Sequence, residues 1–155
     1  MDNEIMDNSK NMFEALREGL DGDSALRLSD IEMLNPLALA YVGDAVYDTF
    51  VRSYLVTRGL SQVAKLHKKS IGFVKAKAQA EILSKISGSL TEEESDIVRR
   101  GRNTKAATVP KNADLADYRH ATGLEALIGY LFLTGKTDRL VEILRKAIEA
   151  KDEGK

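Results

Sequence analysis

Two carboxylates stand where the surrounding residues read as protein interior. In "ALAYVGDAVYDTFV", residues 38–51, Asp44 follows Gly43 inside an apolar run. In "TGLEALIGYLFL", residues 122–133, Glu125 sits between Gly123 and Gly129 in another. An unpaired carboxylate in such a setting costs on the order of several kcal/mol, so each needs a partner, a cation or solvent. Two isolated acids, each beside glycine, could converge on one divalent cation. Mg²⁺ takes oxygen donors and commonly uses only one or two protein carboxylates, with water and phosphate completing its shell. On a helix Ala40, Tyr41, Tyr47 and Asp48 share the face of Asp44. Leu39, Val42, Val46 and Phe50 then take the core side, which puts Asp44 on the border, in a groove left uncrowded by Gly43 and Ala45. For this segment alone a plainer reading stands beside the metal: Gly43 permits close helix packing and Asp44 points into water.

The elements that must hold these acids read as helices throughout. Only two prolines occur in 155 residues, and Ala, Leu, Ile, Lys and Glu are abundant, a composition that favours helix. Met12, Phe13, Leu16 and Leu20 line one face of a short N-terminal helix closed by "DGDS". Asn35 is a helix cap with Pro36 in the first turn, and Gly59 is the expected stop. Ser61 is the candidate cap for the next helix, to Ile86, with a break near Ser70–Gly72. Thr91 and Glu94 have capping-box spacing for a helix ending at Gly101. "RNTKAATVPKNA" has no periodicity and reads as a loop, followed by helices from Asp114 to Thr134 and from Thr137 to about Lys151. The expected fold is all-α, with an acidic extension over residues 1–34, one domain over 35–151 and a tail at 152–155.

Cysteine is absent, which excludes disulfides, thiolate metal sites and cysteine nucleophiles. The start, "MDNEIMDNSK", has no apolar signal-peptide core, and charges interrupt every long apolar run; a soluble, cytoplasmic protein is expected. The net charge of −1 hides an uneven distribution. Residues 1–34 carry three basic and nine acidic groups, whereas residues 61–111 carry eleven basic and five acidic ones. Between Asp96 and Asp114 there is no acid, while Arg99, Arg100, Arg102, Lys105 and Lys111 accumulate. That pattern suits a polyanion-binding face.

"YVGDAVYD" resembles the ribonuclease III signature, an acid, two residues, then Gly-Asp-Ala-Val. "LEALIGYLFL" is similar to that family's second acidic motif, Glu-Ala-Leu-Ile-Gly. With "HKKS", "AKAQAEIL", "RRGRN" and "PKNADLADYRHATGLEALIGYLF", the resemblance narrows to Mini-ribonuclease III, over Asn35 to Ala150. The larger enzymes carry a further glutamate where this chain has Ala40, and an aspartate where it has Thr122. Both would lie one turn from the retained acids on the same face. The loss is therefore coherent, resembles the reduced site of the Mini branch, and leaves a full two-metal site in doubt. The accessory double-stranded-RNA-binding domain is also expected to be missing.

The resemblance implies a homodimeric, Mg²⁺-dependent endonuclease of double-stranded RNA, with Mn²⁺ able to substitute, leaving 5′-phosphate and 3′-hydroxyl ends. For the Mini branch it implies maturation of large-subunit (23S) ribosomal RNA precursors, with a ribosomal protein as a candidate partner on the precursor and no membrane partner. Asp44 and Glu125 become the catalytic and metal-binding pair; Asp48 and Thr122 are candidates for a supporting role, with solvated or packing roles as the alternatives. Without an accessory domain the basic middle of the chain must hold RNA. Its candidates are Lys65, Lys68, Lys69 and Lys75, then Arg99, Arg100, Arg102, Asn103, Lys105, Lys111 and Asn112. His67 and His120 carry less weight, and neither has a following aspartate. The rival reading is a non-catalytic RNA-binding scaffold that kept the fold. Retention of both acids speaks against it, because each burdens an otherwise apolar helix.

Overall fold

Helix starts follow the local chemistry of the chain. The Asn35 side chain accepts from the Leu37 N–H at 2.9 Å, and Pro36 fills the first helical position. Thr91 and Glu94 close a reciprocal capping box, with bonds of 2.9 and 3.1 Å. Asp114 accepts from the Asp117 N–H at 3.1 Å. The computed structural model describes residues 15–16, 19–20, 28–104 and 114–152. Its helices are α1 (Leu28–Glu32), α2 (Pro36–Thr57), α3 (Val63–Val74), α4 (Ala76–Ile86), α5 (Glu92–Asn103), α6 (Leu115–Leu133) and α7 (Thr137–Asp152), with a 3₁₀ turn at Ser87–Ser89. No strand occurs among the described residues, and the expected all-α fold is the one observed. Of the helix expected over residues 10–20, residues 15–16 and 19–20 are described and helical; the others lie outside the described residues.

Helix α6 is the centre. Nearly every residue from Ala121 to Leu131 is buried, as expected of a helix that is apolar all round. It packs against α2, α4, α5 and α7, and α1 touches it as well. The glycines decide how closely. A Cβ added to Gly43 would overlap the Glu125 carbonyl and lie 2.8 Å from the Gly129 nitrogen. One added to Gly129 would overlap the Leu39 carbonyl. On the other flank a Cβ on Gly123 would lie 2.8 Å from the Val98 carbonyl oxygen. So α6 meets α2 backbone to backbone through one glycine pair and meets α5 through Gly123 and Gly101.

Several boundaries differ from the sequence reading. The break expected near Ser70–Gly72 falls at Lys75, with φ −63° and ψ 152°, and Gln62 rather than Ser61 caps α3. Two buried side chains explain the position. The Tyr47 hydroxyl donates to the Phe73 carbonyl at 2.9 Å, and Gln79 Nε2 donates to the Val74 carbonyl at 2.8 Å. These carbonyls at the end of α3 thereby receive donors in place of the helical ones they lack. Helix α5 runs two residues past Gly101, because that glycine serves contact with α6 rather than termination. The buried face of α2 comprises Leu39, Ala40, Gly43, Val46, Tyr47, Val51 and Leu55. Tyr47 and Ala40 therefore belong to the core, not to the face of Asp44, while Val42 and Phe50 are only half-buried.

The two classes of glycine make opposite predictions. Gly43→Ala or Gly129→Ala forces a methyl into backbone, and a loss of about 3 kcal/mol or more in unfolding free energy is expected in a urea titration. Gly72→Ala adds a methyl to a helical site with nothing within 4 Å, and the same titration should show a gain of roughly 0.5–1 kcal/mol. Equal responses at all three positions would overturn the backbone-contact account.

Candidate active site

The glycine contact places the acids side by side. Gly43 of α2 rests on the Glu125 carbonyl, so Asp44, the next residue, stands beside the Glu125 side chain. Asp44 lies near enough for its carboxyl to act on that of Glu125. Burial first, then the hydrogen bond and the charge of Asp44, push the Glu125 carboxyl up to about 9, while a hydrogen bond from Gln79 pulls in the other direction. Asp44 is exposed and Glu125 only partly buried by residue surface. The pair is thus a half-buried carboxyl beside an accessible one. Tyr47 lies near enough to feel the Glu125 charge, and burial raises its phenol.

Thr122 is buried, and its hydroxyl donates to the Tyr118 carbonyl in its own helix at 3.0 Å. Asp48 pairs with Arg52 at 3.0 Å, one turn further along α2. Among the described residues no group of three or more His, Cys, Asp or Glu side chains comes together. The site is a pair of carboxylates, and its next polar neighbour is an amide. Gln79 escaped the sequence reading. Its signal was an uncharged polar residue on the buried face that Ala78, Ile82, Leu83 and Ile86 form in α4.

The basic candidates are divided by the structure. Lys65, Lys68 and Lys69 are exposed along α3 and, with Lys151 of α7, line a groove of about 380 Å³ floored by Leu60 and Phe73. Lys75 is exposed at the break. Arg99 pairs with Asp96. The Arg100 guanidinium donates to the Glu32 and Leu34 carbonyls at 2.9 and 3.4 Å, tying α5 to the end of α1. Arg102 is half-buried and Asn103 exposed. Lys105, Lys111 and Asn112 lie outside the described residues. Arg99 and Arg102 share a cleft of about 620 Å³ with His120, whose Nδ1 lies 2.6 Å from the Ala116 carbonyl. His67 is exposed on α3.

The model of the ribonuclease III domain matches residues 37–136, a span that includes both acids. A Mini-ribonuclease 3 from Symbiobacterium thermophilum is 48% identical over 129 residues, 83% of this chain and 99% of that protein. Another, from Thermoanaerobacter sp., is 46% identical over 142 residues, 92% of this chain and all of that protein. This chain belongs to the Mini-ribonuclease III family. A crystal structure of a Fusobacterium nucleatum protein agrees, with a TM-score of 0.68 and 33% identity over 76% of this chain and 93% of that one. Membership in the Mini-ribonuclease III family assigns RNA endonuclease activity in general terms.

The raised Glu125 carboxyl gives a signed pH dependence. Between the ordinary value of 4.5 and about 9 the folded protein binds more protons than the unfolded chain. The resulting stability is present at low pH and lost as pH rises through that window. Without divalent cations, unfolding free energy should fall from pH 5 to pH 9, and Glu125→Gln should flatten the decline. A wild-type slope no steeper than that of the variant would remove the buried, protonated carboxyl from the account.

Proposed function

We propose that the protein is a Mg²⁺-dependent endoribonuclease of double-stranded RNA that acts as a cytoplasmic homodimer on the paired ends of large-subunit (23S) ribosomal RNA precursors. The observation that carries this reading is the approach of two carboxyls from different helices, Asp44 brought beside Glu125 by the contact of Gly43 with the Glu125 backbone. A divalent cation is the natural counter-charge for such a pair. The donor set fits Mg²⁺, since both side chains offer only oxygen. When bound, Mg²⁺ supplies Lewis-acid polarisation of the scissile phosphodiester, and Mn²⁺ would serve the same donors.

The protein's own residues divide the remaining work. Asp44, on the exposed side, is the carboxylate that an approaching phosphodiester and its attacking water would meet. Glu125 anchors the cation from within, carried on the most buried helix. The exposed lysines of α3 supply phosphate contacts, and double-stranded RNA is recognised mostly through its backbone and shape. Tyr41 and Met33 are 83% and 80% exposed, apolar surface of the kind a second copy would cover. A two-fold dimer places one site near each strand of a duplex. No helix among the described residues is long and apolar enough to cross a membrane.

Two experiments test the reading. A labelled duplex matching the paired precursor ends should be cut with a stagger in Mg²⁺, leaving 5′-phosphates, and Asp44→Asn should abolish cutting while retaining binding. Tight binding with no metal-dependent cutting, on naked and ribosomal-protein-bound precursor alike, would establish the scaffold instead. The second reads the RNA grip. Lys65→Ala, Lys68→Ala and Lys69→Ala should each lower the slope of log affinity against log salt by about 1 where a phosphate contact is lost. Unchanged slopes would move the grip away from α3.

A further inference from the structure

The groove bordered by α3 and α7 contains more than the lysines a duplex would touch. The α3 lysines and Lys151 form its rim, and Leu60, Gly72 and Phe73 form its floor. Its volume of about 380 Å³ is that of a small-molecule site. Among the described residues none of the rim lysines takes part in a salt bridge. At Leu60, Lys69 and Phe73 the groove continues into a pocket of about 210 Å³. There the Arg58 guanidinium lies 5.0 Å from the centre of the Tyr54 ring. Asp152, which also lines that pocket, accepts from the Tyr54 hydroxyl at 2.8 Å.

Gly72 is the residue of this floor that the fold does not require. It lies inside α3, its φ is not positive, and a Cβ built on it would meet nothing within 4 Å. Neither close packing nor a special backbone conformation calls for glycine there, and glycine is a poor helix former. Gly43, Gly101, Gly123 and Gly129 each face a neighbouring helix; Gly72 borders the open groove. Glycine in such a place lets a ligand come close to the backbone.

We propose that this groove is a subsite for one unpaired nucleotide of the RNA, its base laid on Leu60 and Phe73 against Gly72 and its phosphates on the lysines of the rim. The inference rests on the reading of the protein as a nuclease of double-stranded RNA, and it names the substrate class as a duplex with a single-stranded flank. An intact duplex keeps its bases stacked and offers a protein phosphates, 2′-hydroxyls and shape. It would engage the lysines and leave the apolar floor empty. An unpaired nucleotide brings a flat, largely apolar base together with its phosphates, which is the pairing of surfaces the groove presents. In the adjoining pocket the Arg58 guanidinium gives the next base a plane to stack on. The groove also has a fixed place relative to the acids. Tyr54 lies on the helix of Asp44, roughly 15 Å along its axis, and the Tyr47 hydroxyl fastens the Phe73 carbonyl to that helix at 2.9 Å. The unpaired nucleotide therefore lies beyond the paired segment that reaches Asp44 and Glu125.

The test measures kcat/KM in Mg²⁺ for a blunt duplex and for the same duplex with a short single-stranded flank at its 5′ or 3′ ends. Wild type should favour one of the flanked forms by about tenfold, the scale of one stacked base. Gly72→Leu, which fills the groove from a position with open space around it, should melt no lower than wild type. It should cut the flanked duplex only as well as the blunt one, with the blunt rate within about twofold of wild type. Blunt and flanked duplexes cut alike by wild type would overturn the subsite and leave the duplex nuclease standing. So would a preference that survives in folded Gly72→Leu. A labelled peptide of residues 1–23, bound in a Gly72-dependent way while the flank makes no difference, would assign the groove to an acidic protein segment instead. No cutting of either duplex, with no binding, would overturn the nuclease reading together with the subsite. Should Gly72→Leu melt below wild type, crosslinking of wild type to 4-thiouridine in the flank decides. Crosslinks at Leu60 or Phe73 support the subsite, and crosslinks confined to other segments overturn it.

Discussion

At Gly43 and Gly129 the polypeptide backbones of α2 and α6 touch with no side chain between them. The rest of the molecule is arranged around that contact. Helices in proteins ordinarily stand apart by the thickness of their side chains. Here that layer is missing at one crossing, and the residues flanking the glycines come closer than ordinary packing would allow. Asp44 and Glu125 are such residues. Their meeting needs no loop and no long reach, only two rigid helices and the absence of two methyl groups. A site built on helices holds its geometry better than one built on loops, and this one inherits the rigidity of the core.

Polar groups inside the protein follow a common pattern, in which a side chain from one helix answers the unsatisfied end of another element. Tyr47 and Gln79 answer the end of α3, and Arg100 answers the end of α1. Arg139 of α7 donates to both oxygens of Glu94 at 2.7 Å and to the Ser89 carbonyl at 2.8 Å. That guanidinium holds the Glu94 carboxyl below its usual range, so the pair remains ionised across the neutral region. The capping glutamate of α5 is thus also the anchor of the last helix.

Much of this was legible in the chain because it is written in local chemistry. The Asn35–Pro36 start, the Gly59 stop and the Thr91–Glu94 box each depend on residues within a few positions of one another, and each lies where the sequence indicates. The two acids were legible for another reason: a carboxylate in an apolar helix is conspicuous in any window. What escaped was set by distant partners. The break at Lys75 depends on a tyrosine in α2, so no window around residue 75 reveals it. The burial of Tyr47 shifts the inner face of α2 by a fraction of a turn, a difference that periodicity alone does not resolve. Arg100 reads as one more cation in a basic run, yet its guanidinium is committed to carbonyls at residues 32 and 34. Gln79 was passed over because an amide carries no charge to betray its burial.

The central position of α6 has one further consequence. An enzyme whose acids sit on surface loops can lose its activity by local loosening well before it melts, or can be tuned to cold by softening those loops. Glu125 lies on the helix that α2, α4, α5 and α7 all lean on, and its neighbour across the glycine contact lies on the longest of the described helices. Neither helix of that joint can relax without opening the core. Thermal adaptation in this architecture must therefore act on the whole molecule, since there is no separate hinge at the acids for warmth or cold to work upon.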